Sequence, residues 1–276
     1  MTAPTTGTAG PPTSSAAGPP VQARASGFAR DLLSVAGRAI RAVPREPEFL
    51  APAIFVPVFF YFVNVGALEN VASRAGVGDF RAFQLPVAIV FAVTGISRAS
   101  ALVTDIQSGY FDRLLMTPIR RLALLLGLMV ADFATVVALQ IPVIGLGFAF
   151  GVDFGTGLLG IVVFLLMGAC WGLAFTGFPY AIALKTGNPA AVNSSFLLFF
   201  PFAFLTTSFL PKEALSGWLA TFSDFNPVTY LLSGMRSVIS DWDAGAMLEG
   251  FAAIGVVGAI SMTIAFLALR GRVRRG

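Results

Sequence analysis

Six stretches of the chain are almost wholly apolar, at about 48–67, 83–104, 121–150, 155–183, 191–210 and 246–269, and the polar positions collect between them. About 20 apolar residues of helix cross a hydrocarbon core, so each stretch predicts a transmembrane helix. The third and fourth are long enough to tilt or to project beyond the bilayer, and Pro179 predicts a kink in the fourth. A different pattern precedes the first span. Phe28, Leu32, Val35, Ala36, Ala39, Ile40 and Val43 fall on one helical face, and Arg30, Ser34, Arg38, Arg41 and Arg45 on the other. Such a basic amphipathic helix, here 28–46, lies in the headgroup plane or packs on protein as an ordinary surface helix. Pro44 and Pro47 end it. Residues 1–27 are rich in Pro, Thr, Ala, Gly and Ser, which predicts a disordered tail. With no apolar core of its own, that tail does not read as a cleaved signal peptide.

Two links are more than turns. Between spans two and three, Ile106, Tyr110, Leu114 and Leu115 share one helical face, flanked by the polar Asp105, Gln107, Asp112 and Arg113 and bounded by Pro118. This predicts a short rigid helix suited to docking a soluble partner, or else a plain linking helix. Between spans five and six, Leu215, Trp218, Leu219 and Phe222 recur at helical spacing. A second apolar stretch, with Leu231, Leu232, Met235, Val238 and Ile239, follows Asn226-Pro227. These read as two short helices dipping back into the bilayer with Trp218 and Trp242 at interface depth, or as a surface loop with aromatic anchors.

Composition agrees with the pattern. Apolar residues make up 56 % of the chain and charged ones 12 %, about half the charge of a soluble domain. Charge position then sets orientation. With the N-terminus inside, 14 Lys and Arg lie on the inner side and 4 on the outer (Arg74, Arg81, Lys212, Arg236), the bias of the positive-inside rule. Both termini are then cytoplasmic. The chain has no histidine, which removes Ser-His-Asp triads and HExxH zinc sites. Its single cysteine, Cys170, lies in an apolar run and reads as a small buried hydrophobe.

With these segments placed, two blocks resemble a known family. Asp105, Gly109, Leu114-Leu115, Thr117-Pro118 and Arg120-Arg121 are similar to the coupling-helix region of ABC-2 type permeases, which more often carry Glu at the first position. Lys185-Thr-Gly-Asn-Pro189, a Phe-rich span ending Phe209-Leu-Pro211, Glu213, Trp218-Leu219, Phe225-Asn-Pro-Val-Thr-Tyr230 and Arg236 resemble, in that order, the drug-resistance (daunorubicin-type) branch. The resemblance runs over about 45–275. It implies an all-α membrane protein of six spans, with an ABC-2 transmembrane domain over 47–271. It implies a second permease subunit, identical or different, and a cytoplasmic ABC ATPase that brings the ATP and magnesium. The cargo it implies is a hydrophobic or amphiphilic drug-like molecule moved out across the plasma membrane; lipid, glycolipid or polysaccharide export is the alternative. On this reading Asp105, Gly109, Tyr110, Asp112, Arg113, Leu114 and Pro118 couple to the ATPase. Phe196, Phe199, Phe200, Phe204, Glu213, Trp218, Asn226, Pro227 and Tyr230 line the path and its outer gate.

The remaining candidates have weaker claims. Lys185-Thr186 lacks the preceding glycines of a Walker A loop, so no ATP site is expected here. Nor is a metal site, a cofactor or a nucleic-acid partner expected. Gly76-Val-Gly-Asp79 matches the GxGD of intramembrane aspartyl proteases but falls in a loop. Asp132 lies well inside a span, where an acid is a functional candidate by default. It pairs with Arg98, contacts a cationic substrate, or reaches water at the helix end. The phenylalanines of span five line a path or face lipid. Gly168-x-x-x-Gly172 permits close helix approach. Against an ATP-independent enzyme stands the lack of polar pairs at one depth. Against an ion-coupled transporter stands the lack of an inverted repeat.

Overall fold

The computed structural model describes residues 27–42, 47–110 and 121–273. Its first helices are α1 (Phe28–Ala42), α2 (Pro47–Arg74), α3 (Phe80–Thr94), α4 (Ala99–Gln107), α5 (Arg121–Ala149) and α6 (Gly157–Thr186). Then follow α7 (Pro189–Ser194), a 3-10 turn (Ser195–Leu198), α8 (Phe199–Phe204), α9 (Gly217–Phe225), α10 (Pro227–Ser240) and α11 (Ala244–Val273). No strand occurs among the described residues. Five segments among the described residues are long and apolar enough to cross a membrane: Ala51–Arg74, Phe80–Gln107, Leu125–Ala149, Gly157–Thr186 and Ala244–Arg272.

The sixth stretch differs from its sequence expectation. A helix is expected over 191–210, but the helical run is the shorter Pro189–Phe204, broken by the 3-10 turn. At 1.5 Å per residue it reaches about 24 Å, short of a ~30 Å core. Ser195 and Pro201 fall inside it, and neither continues a helix well. Residues 205–211, which follow it, are non-helical.

Local chemistry explains the helix starts. Asp79 caps α3, its carboxylate accepting from the Arg81 and Ala82 N–H groups at 3.0 Å each. The GxGD aspartate is therefore a helix cap. Asn188-Pro189 and Asn226-Pro227 repeat one device. Each Asn side chain accepts an N–H two residues on, and each Pro takes the first helical position, where no N–H is needed.

Contacts at the helix ends sort the bundle into two ends. At the α1 end, Gln107 of α4 donates to the Gly187 carbonyl (2.9 Å), and Arg272 of α11 reaches the Leu184 carbonyl (3.4 Å). At the α10 end, Arg81 donates to the Phe150 carbonyl (2.9 Å), and the Gly155 N–H to the Ile239 carbonyl (2.9 Å). Between them α6 and α11 lie against each other along their length. Gly177 makes this possible: a side chain there would run into the backbone of Ser261. Gly168 and Gly172 admit α3 and α5 to α6 in the same way.

The core divides likewise. One buried cluster, with Leu85, Ile89, Phe164, Trp171, Phe199 and Leu231, fills the α10 end. A second, with Val35, Leu102, Leu125, Leu128, Tyr180 and Leu269, fills the α1 end. Helix α1 belongs to that second core. Its Val35, Ala36 and Ala39 are buried, and Val35 seats against Gly127 of α5. Leu33 and Ile40 stay exposed, so the helix packs on protein with one side and keeps an apolar edge on the other.

Candidate functional site

Where the two cores meet, the second long segment breaks. Residues 95–98 are non-helical between α3 and α4. The Arg98 N–H at the start of α4 donates to Asp132 Oδ1 of α5 (2.8 Å), and the Tyr180 hydroxyl of α6 donates to Asp132 Oδ2 (2.6 Å). Arg98 also sends Nη2 to the Ala39 carbonyl of α1 (2.6 Å). One carboxylate, 1 % exposed, thus joins α4, α5 and α6, while the arginine beside it carries the connection to α1. The site suits an anion, because the start of α4 presents the positive end of its helix dipole. Asp132 does not reach water, and its two oxygens are held by protein.

Gly95 opens the break on its other side. The Phe196 ring packs where a side chain on Gly95 would stand. From there an aromatic file runs along the short helices. Phe196 and Phe200 meet edge-on at 5.2 Å, Phe200 and Phe204 stack at 5.7 Å, and Phe204 reaches Phe209 at 5.7 Å. Phe199 is buried, whereas Phe200 and Phe204 are 39 % exposed. The same helices therefore supply both a packing face and an open face.

Of the residues expected to couple to a partner, Asp105, Gly109 and Tyr110 lie at the α1 end. Asp105 pairs with Arg38 of α1 at 3.2 Å, and the Arg38 guanidinium lies 5.0 Å from the Tyr110 ring centre. Gly109 turns the chain with φ +70°, a region that favours glycine. Asp112, Arg113, Leu114 and Pro118 lie outside the described residues.

At the opposite end, α9 and α10 meet at Asn226; α9 is largely exposed, whereas α10 packs in the core. Tyr230 lies beside Gly250 and Gly234 beside Ala246, so α10 runs antiparallel to α11, with Asn226 at the deep point. The Asn226 amide donates to the Phe202 and Leu205 carbonyls, at 2.7 Å each, and its Oδ1 accepts from the Val228 N–H (2.9 Å). The Thr206 and Thr229 hydroxyls share a 2.6 Å hydrogen bond. Higher on α10, Arg236 donates to the Phe83 carbonyl (3.1 Å), to Thr207 Oγ1 (3.2 Å) and to the Thr207 carbonyl (2.8 Å). Its guanidinium lies 3.4 Å from the Phe83 ring centre. On the rim, Asp224 pairs with Lys212 and holds that ammonium above the usual lysine range, while accepting the Tyr230 hydroxyl on its carbonyl at 2.5 Å. Glu213 and Trp218 are exposed, Trp218 at 66 %.

Comparison with known proteins decides the family. The sequence profile of the ABC-2 type transporter family matches residues 30–240. The chain belongs to that family. It is 27 % identical over 206 residues to the daunorubicin resistance ABC transporter permease protein DrrB1 of Streptomyces coeruleorubidus, covering 72 % of this chain and 71 % of the relative. It is 23 % identical over 211 residues, 76 % of each chain, to the probable doxorubicin resistance ABC transporter permease protein DrrC of Mycobacterium tuberculosis. The chain is thus a multi-pass membrane permease of the ABC-2 type.

Within this ABC-2 permease the sequence reading missed the contacts of three participants. Tyr180 gave no signal beyond an aromatic in an apolar run. Arg38 read as a lipid-facing charge, although its spacing from the buried Val35 and Ala39 leaves it free to reach α4. Arg236 reads as an outer charge and as the close of the block that resembles the drug-resistance branch, and neither reading names its partners.

Proposed function

We propose that the chain is the membrane-spanning subunit of an ATP-driven exporter of hydrophobic or amphiphilic small molecules. The relatives' names carry resistance to daunorubicin and doxorubicin, which supports drug-like cargo. A separate cytoplasmic ABC ATPase supplies ATP, magnesium and force, and a second permease subunit completes the path. The chain crosses six times, because the run from Pro189 to Pro211 starts at the α1 end and finishes at the α10 end. Ser100 of α4 hydrogen-bonds Asn193 at its start, and Gln84 of α3 holds the Ser208 carbonyl near its finish. The α1 end is cytoplasmic. Helix α1 is the interfacial helix and the segment from α2 to α11 the transmembrane domain; residues 1–26 and 43–46, which complete the expected tail and interfacial helix, lie outside the described residues.

One observation carries the mechanism: the α3–α4 break, where Asp132 joins α4, α5 and α6 and Arg98 joins them to α1. The ATPase docks on Asp105, Gly109, Tyr110, Asp112, Arg113, Leu114 and Pro118. Its movement displaces α4, and the buried contacts oblige α1, α5 and α6 to follow. The displacement reaches Phe196 through its seat on Gly95 and passes along Phe199, Phe200 and Phe204. The outer gate is the α9–α10 hairpin, with Glu213 and Trp218 on its rim and Asn226, Pro227 and Tyr230 at its hinge.

The test is co-purification with the cognate ABC ATPase and measurement of ATP hydrolysis. Gly109→Pro with Asp105→Arg is expected to abolish co-elution while leaving the permease monodisperse. Undiminished co-elution of that variant sinks the docking assignment.

A further inference from the structure

Helix α1 packs on α5 with one side and leaves the other uncovered. On the uncovered side Leu33, Gly37 and Ile40 recur at i, i+4 and i+7, one stripe of a helix. Leu33 is 66 % exposed and Ile40 41 %. Arg30, Gly37 and Arg41 recur at i, i+7 and i+11, a second stripe that crosses the first at Gly37. Both arginines are exposed, and about 16 Å of helix separates them. Arg41 folds back along the helix, its Nη2 4.0 Å from where a Cβ on Gly37 would stand. Arg38 points elsewhere, to Asp105 of α4. Among the described residues neither Arg30 nor Arg41 is paired with an acid.

The depth of α1 determines what can cover this side. Val35 seats against Gly127, the third residue of the apolar segment Leu125–Ala149. The Ala39 carbonyl accepts from Arg98, which lies within the apolar segment Phe80–Gln107, about 14 Å from its end at the helical rise. Helix α1 is therefore level with the ends of the membrane-crossing segments, where acyl chains give way to headgroups. An apolar stripe edged by arginines fits that boundary: Leu33 and Ile40 face the acyl chains, while the two guanidinium groups extend to the headgroups on long apolar stems. Two cations without a protein acid call for negative charge, and anionic headgroups supply it. Zwitterionic lipid satisfies the apolar stripe and leaves the charge unanswered.

We propose that the uncovered side of α1 is a binding surface for anionic lipid, with Leu33 and Ile40 against the acyl chains and Arg30 and Arg41 on the phosphates. It rests on the proposed function only for naming the leaflet as the inner one. Because the same helix holds Asp105 through Arg38 and Arg98 through Ala39, bound lipid also sets how firmly α1 sits on α4.

The experiment places a bimane fluorophore at Leu33→Cys in the full chain, in a Cys170→Ala background, within nanodiscs of neutral lipid. A minor fraction of lipid brominated near the top of its acyl chain is added, either phosphatidylglycerol or phosphatidylcholine. Brominated phosphatidylglycerol is expected to quench more strongly, with a local enrichment of about fivefold for each arginine. Arg30→Gln with Arg41→Gln is expected to make the two lipids equal while leaving the melting temperature unchanged. Equal quenching by the two lipids with both arginines present overturns the proposal, since neutral lipid then covers the helix. Quenching by neither overturns it too, since the side is then covered by the N-terminal tail, a second copy or water. So does a preference for phosphatidylglycerol that survives the double substitution. Should the preference hold while the assembled ATPase complex hydrolyses ATP equally in anionic and neutral nanodiscs, the lipid surface stands and the part of α1 in coupling falls.

Discussion

Asn226 and Asp132 are both short polar side chains buried in an apolar bundle, but one mainly donates and the other only accepts. Asn226 gives its amide hydrogens to the Phe202 carbonyl of α8 and the Leu205 carbonyl just after it, and takes one N–H from α10. Asn226→Asp keeps the acceptor and turns the donors into a repelling oxygen. It is expected to cost more than Asn226→Ser, about 1–3 kcal/mol, read as a fall in melting temperature of the detergent-purified chain. Equal melting of the two variants means that the cap to Val228, not the bridge to α8, is what matters. Asp132 is the reverse. Tyr180→Phe removes one donor and leaves Arg98 N–H in place, so a loss of about 0.5–1.5 kcal/mol is expected. Asp132→Leu strips the acceptor from the start of α4 and is expected to cost more than Tyr180→Phe in the same melt. The sequence marked Asp132 and Asn226 because an acid inside a span and an Asn-Pro before an apolar run are local signals. It did not mark Tyr180 and gave Arg236 no partner, because a hydroxyl or guanidinium finds its partner here across more than 25 positions of chain.

At the scale of elements, the apolar runs place the ends of the five long segments to within about four residues, except that the first helix continues past 67 to Arg74, and they overstate the length of a sixth. The stretch 191–210 has the composition of a span, and hydropathy alone reads it as one. What shortens it is chain chemistry: Ser195 and Pro201 within, and Asn226 taking the carbonyls at its end. The α3–α4 break was not legible either, since Gly95, Ser97 and Arg98 sit in a window that is apolar on average. Helix α1 was legible as amphipathic, but the pattern left open what its apolar face meets. The structure seats that face on α5 and leaves Arg38 against Asp105. As an exposed ion pair it is worth little to stability, ~0–1 kcal/mol, yet it links α1 to the segment we propose for docking. Arg38→Glu is expected to leave the melting temperature nearly unchanged and to lower cargo-stimulated ATP hydrolysis. Restoring the pair with Arg38→Glu plus Asp105→Arg is expected to recover the α1 link while still losing ATPase binding if Asp105 also touches the partner. An Arg38→Glu chain with full stimulation removes α1 from the coupling path.

At the scale of the whole molecule the question is parity. Five long apolar segments put the two described termini on opposite sides of a membrane; the short broken passage through α7 and α8 puts them on the same side. The end-to-end contacts favour the second arrangement. Gln107, Gly187 and Arg272 meet at the α1 end, and Arg81, Phe150, Gly155 and Ile239 meet at the other. That sorting requires α11 to run back toward α1, and it requires the chain to change ends between Gly187 and Pro227. The positive charges agree, because α1 and the last turn of α11 are both basic and the positive-inside rule places such ends together in the cytoplasm. Replacing Cys170, the one native cysteine, with Ala gives a background for single-cysteine probes at Ser34, Gly78, Asp153, Ser216 and Arg270. In intact cells a membrane-impermeant maleimide is expected to label Gly78→Cys, Asp153→Cys and Ser216→Cys at once, and Ser34→Cys and Arg270→Cys only after permeabilisation. Labelling of Ser34→Cys and Arg270→Cys from opposite sides means an odd number of crossings. The hairpin of α9 and α10 would then share a compartment with α1, and no outer gate could be built from it.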